Sequence, residues 1–123
     1  MAAVLALGLD PNFADVASMP GLTPELVRTY LDSQVQRIRA LGYDVDNCFV
    51  DSAATAEAVL KDTLSKREYD CVMIGAGLRT SDRLILFEKL LNIVHLHAPS
   101  ARICFNTTPA DSAEAVHRCF NGA

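Results

Sequence analysis

Short apolar runs alternate with longer segments whose apolar residues recur every three or four positions, and this alternation constrains the fold more than any other feature. Ala2–Leu9 is a continuous apolar run closed by Asp10 and Pro11. Too short for a stable helix, it reads as a strand buried on both faces. Thr23, Pro24 and Glu25 then supply an N-cap, a proline at the first helical position and an acid in the first turn. Leu26, Val27, Tyr30, Leu31, Val35 and Ile38 form the inner stripe of that helix, which Gly42 ends. Tyr43–Val50 alternates before turning apolar, as an edge strand does. Ser52 or Thr55 caps a second helix through about Arg67, with Ala56, Val59, Leu60 and Leu64 inward. Tyr69–Ile74 is a third strand, stopped by Gly75-Ala76-Gly77. Ser81 and Asp82 cap a long helix to about His97, Ala101–Phe105 is a fourth strand, and Asp111 or Ser112 starts a last helix through Phe120. The spacing thus predicts β-α-β-α-β-α-β-α over one α/β domain of 123 residues. Right-handed crossovers covering both faces make it a three-layer doubly wound sheet of four parallel strands in the order 2-1-3-4.

Composition removes several classes of function. Half of the residues are apolar, enough to offset the entropy of ordering. The net charge of −4, with no basic run longer than Lys66-Arg67, argues against nucleic acid. No apolar stretch approaches the ~20 residues that cross a bilayer, and the N-terminus lacks the basic start of a secretory signal, so a cytoplasmic protein with no membrane partner is expected. Cys48, Cys71, Cys104 and Cys119 lie far apart, with no CxxC and no His at ligand spacing, and read as reduced core thiols. His95 and His97 point about 200° apart on a helix and do not share a metal, so no metal site is expected.

Tyr69–Ile74, the strand ending in Asn106-Thr107-Thr108, and the closing Ala115-Val116…Gly122-Ala123 resemble the receiver domain of bacterial response regulators. The resemblance implies a flavodoxin-like or Rossmann-like sheet. It also implies a phosphate-accepting Asp after the third strand, where this chain has Gly75, an acidic pair after the first, where only Asp10 stands, and a fifth-strand Lys that has no counterpart here. Thr107 or Thr108 matches the hydroxyl of the fourth strand. These departures argue against phosphorelay.

In an open parallel sheet, ligands bind beyond the carboxyl ends of the strands where strand order reverses, here between the first and third. Asp10 and Asn12, the segment Gly75, Gly77, Arg79, Thr80 and Ser81, and Asn106, Thr107 and Thr108 are placed there. Glycines let backbone amides approach a ligand, a helix start offers free N–H groups, and Arg79 adds a two-pronged donor, a set suited to an anionic small molecule. Pro11–Leu22 is long enough to form a lid. The same residues also suit a tight turn, an Asx turn at Asp10 and an Arg79 paired on the surface with Asp82 or Glu88. Neither GxGxxG nor GxxxxGK[ST] is present, so no cofactor and no reaction type is named.

The third helix is apolar over half its circumference, with Ile85 and Leu96 outside even that arc. Ile85, Leu86, Leu90, Ile93 and Leu96, beside an apolar fourth strand, are expected to form a homodimer interface. Two functions stand at this stage: an anion or small-metabolite pocket, and a receiver-like dimerisation or partner-docking module.

Overall fold

The strand β1 (Ala3–Leu9) runs through the middle of the sheet because no polar side chain interrupts it. Its residues alternate between two cores, Ala3, Leu5, Leu7 and Leu9 on one side and Val4 and Ala6 on the other. A computed structural model describes residues 1–14, 20–52 and 54–121. In it β2 (Asp44–Val50), β3 (Cys71–Ile74) and β4 (Arg102–Phe105) join β1 in one parallel sheet of order β2-β1-β3-β4. This is the expected α/β architecture, compatible with a flavodoxin-like fold. Register is set early: the Asp70 carboxylate accepts from the Ala3 amide at 2.8 Å, and Val4 lies opposite Cys71.

The helices α1 (Pro24–Ala40) and α4 (Ser112–Asn121) cover one face, where Val35, Ile38, Ala113 and Val116 pack on Val4, Ala6 and Met73. The other face lies under α2 (Ala56–Lys66) and α3 (Leu84–His97), through Leu60, Leu64, Leu90 and Val94. The Thr23 hydroxyl caps α1 by accepting from the Leu26 amide, and Gly42, at φ 98°, takes the left-handed conformation that ends it. Asp51 does the capping at α2, its carboxylate accepting from the amide and hydroxyl of Thr55.

Three local expectations change. Ser81 and Asp82 do not cap α3. Ser81–Arg83 forms a single 3-10 turn in which the Arg83 amide donates to the Thr80 carbonyl, and the α-helix begins only at Leu84. Leu26, Tyr30 and Val59 belong to no core, being 54%, 46% and 37% exposed. The contact of α1 with the sheet is made by Val35 and Ile38, in its second half.

At the outer edge of the sheet, β2 carries Asp44 and Asp46, both paired with Arg67 at 3.0 and 3.1 Å. The Tyr69 hydroxyl also donates to Asp46, and burial together with that carboxylate holds the phenol well above its usual pKa. Among the candidate interface residues, Leu90 and Ile93 are spent on the core, at 0% and 6% exposure. Leu90→Ala is therefore expected to destabilise the fold itself by about 2–5 kcal/mol, read as a lower midpoint in urea unfolding at every protein concentration.

Candidate functional site

Asp10, at the end of β1, is half-buried and turned back on its own loop. Its Oδ1 accepts from the Asn12 amide at 2.9 Å, from Asn12 Nδ2 at 3.1 Å and from the Arg28 guanidinium at 3.2 Å. That is an Asx turn ahead of Pro11, anchored by an ion pair to α1. The segment after β3 closes over the end of β1. The Gly75 amide donates to the Leu7 carbonyl at 2.8 Å, and a Cβ on Gly77 would meet Leu9 at 3.4 Å. Between these glycines and Arg79, the turn Ala76–Leu78 inserts Leu78, which is fully buried. The glycines thus let the chain pack against β1, and Leu78 fills the space behind them.

Arg79 bridges the ends of β3 and β4. One guanidinium nitrogen donates to the Ile74 carbonyl at 2.5 Å and to Asn106 Oδ1 at 3.2 Å, the other donates to the Asn106 carbonyl, and the group lies over the Phe105 ring at 5.0 Å. Burial lowers its pKa, opposed by the charge of Asp111. Asn106 is buried, and its amide nitrogen donates to the Ser112 hydroxyl at 3.1 Å. Thr107 and Thr108 serve the start of α4. The Thr107 hydroxyl donates to Asp111 at 2.6 Å, and Thr108 and Asp111 form a reciprocal capping box. The Thr107 hydroxyl and two backbone amides hold the Asp111 carboxyl below its ordinary value. Thr80 and Ser81 lie on the rim beside Asp82, whose carboxyl a Thr80 hydrogen bond likewise lowers.

Of the residues placed at the crevice from sequence, Gly75, Gly77, Arg79 and Asn106 converge. Asp10 and Asn12 form a separate turn, and Thr107 and Thr108 face α4. Arg83 was missing from that set. It reaches the Phe13 carbonyl at 3.3 Å and the Thr80 hydroxyl at 3.4 Å, joining the loop after β1 to the loop after β3. Its place just before the apolar start of α3 was the available signal. Of the loop proposed as a lid, residues 15–19 lie outside the described residues, as do the terminal Gly122 and Ala123. Every buried side-chain nitrogen and oxygen among the described residues has a hydrogen-bond partner. The cavity below this rim, between Gly8, Gln34, Asn47 and Asn106, holds about 50 Å³, room for a few water molecules.

The α3 side of β4 is less finished. Phe105 and Ile103 are 39% and 37% exposed, Phe87 meets Phe105 edge to face at 5.7 Å, and Leu84, at the start of α3, is 59% exposed. Ile85 and Leu96 are exposed as well, and Leu86 is partly buried. No helix of the described residues is long and apolar enough to cross a membrane. No protein-family model matches the chain, and no curated protein matches it in sequence.

Arg79→Met removes three hydrogen bonds from the joined strand ends and leaves the Asn106 carbonyl and amide oxygen to find other partners. A loss of about 1–3 kcal/mol in urea unfolding is expected. Asp111 contributes stability above its ordinary pKa of 3.8, and this is lost as pH falls through its lower folded value. Asp111→Asn should therefore flatten the acid limb of the stability profile below about pH 4.

Proposed function

We propose that the chain is a receiver-like interaction module that pairs with a second copy through β4 and the adjoining flank of α3. The observation that carries this reading is the pair Ile103 and Phe105, apolar side chains left more than a third exposed on the margin of a parallel sheet. Parallel sheets are stable when both faces are covered. At β4 one face is sealed by α4 over Cys104, whereas Phe87 reaches only part of the other.

A two-fold arrangement of antiparallel β4 strands supplies the missing cover, because each copy brings its own Phe87 and Leu84 against the other's exposed face. Strand alternation fits this pairing. The Arg102 amide donates inward to the Asp70 carbonyl, which turns the backbone groups of Ile103 outward. The basic side chains beside this margin are engaged within the chain: Arg102 donates to the Cys119 carbonyl and Arg118 to the Phe105 carbonyl.

The competing reading, an anion or small-metabolite pocket at the carboxyl ends of β1 and β3, has less support, since Arg79 and Asn106 already hold each other. Analytical ultracentrifugation separates the two. A dimer is expected, with Ile103→Asp or Phe105→Asp raising its dissociation constant at least ~30-fold, as loss of an interface anchor worth ~2 kcal/mol does. A monomer at all concentrations, or a dimer indifferent to both substitutions, overturns the proposal.

A further inference from the structure

Cys71 on β3, Cys104 on β4 and Cys119 on α4 are separated by 33 and 15 residues along the chain, yet the fold brings their sulfurs together. Cys71 Sγ lies 3.6 Å from Cys104 Sγ and 3.4 Å from Cys119 Sγ, and all three fall within 4.8 Å of one another. Among the described residues this is the one cluster of three or more such side chains with metal-ligand spacing. We infer that the three thiols form a binding site for a single monovalent copper ion between the sheet and α4.

Several features favour this occupant. The donors are sulfur throughout, which selects soft, thiophilic ions over magnesium, calcium or manganese. A metal ~2.3 Å from each of three sulfurs holds them about 4 Å apart, so the observed spacing needs only sub-ångström adjustment. Structural zinc almost always takes four ligands, whereas among the described residues no fourth His, Cys, Asp or Glu joins this trio, which shares its core with Ala115, Val116 and Met73. Three-coordinate copper(I) needs no fourth donor, and the Met73 thioether is the soft group nearest in sequence to Cys71 on that face.

Charge is balanced as well. Three thiolates around a monovalent cation leave two negative charges, and two guanidinium groups flank the site. Arg102 donates to the Cys119 carbonyl at 2.8 Å, and Arg118, next to Cys119 in the chain, donates to the Phe105 carbonyl at 2.9 Å. Each sulfur releases its proton to solvent as the ion binds, and no oxidation state changes. Cys119 is only partly buried and provides the route of entry.

The test is an anaerobic titration of the reduced full chain with copper(I) against a chromophoric chelator, with X-ray absorption to identify the ligands. One ion per chain, coordinated by sulfur alone, is expected. Cys119→Ser should weaken binding by more than roughly 100-fold, beyond the ~10–100-fold cost of losing an outer-shell partner. Cys48→Ser should leave affinity unchanged, because Cys48 packs in the core on the opposite face. Circular dichroism checks each variant, and Cys119→Ala replaces the serine variant if that one does not fold. No retention against the chelator, or equal retention by the Cys119 variants, overturns the inference.

Discussion

A parallel strand presents apolar side chains above and below the sheet, so it is stable only when something covers it on both sides, and this requirement organises the molecule. β1 meets it fully: Leu5 and Leu7 lie under α2 and α3, Val4 and Ala6 under α1 and α4. Three crossover helices, together with α4 after the last strand, provide that cover, with two helices on each face. The requirement weakens outward. On β2 it is relieved by polar residues, while on β4 it is met on one face and incompletely on the other.

The rim above the carboxyl ends shows how a familiar location for ligands can be closed by the chain's own groups. A free guanidinium and a free amide there would attract an anion. Here the Arg79 guanidinium is directed at backbone carbonyls that the parallel ladder leaves open at its end, and Asn106 completes the arrangement by reaching Ser112. Arg83 performs a similar service between the first and third loops. The same chemistry that recommends arginine for binding carboxylates, several donors fixed in one plane, makes it effective at tying loops together.

Much of the architecture was legible because it rests on local patterns: the unbroken run at β1, the Thr23-Pro24-Glu25 start and the glycine at position 42 each have one economical reading. Less of the site was legible, for two physical reasons. Hydrogen bonding at the rim is many-to-many, so that Asp10, Thr107 and Asp111 have several partners within reach and spacing alone does not choose among them. Convergence in three dimensions is also invisible in one: residues 71, 104 and 119 share no sequence motif and meet only because the same face of β3 and β4 turns toward α4. The start of α3 was misplaced because Ser81-Asp82 has the composition of a cap, while the Thr80–Arg83 bond takes the turn instead.

The two margins of the sheet are chemically unlike. One presents Asp44, Asp46 and Arg67, strongly hydrated groups that resist being stripped of water by an incoming strand, and the other presents Ile103 and Phe105. A sheet apolar at both margins would add neighbours without limit and grow into a fibre. With one margin charged, the pairing proposed at β4 stops at the first neighbour, and its product is a closed pair.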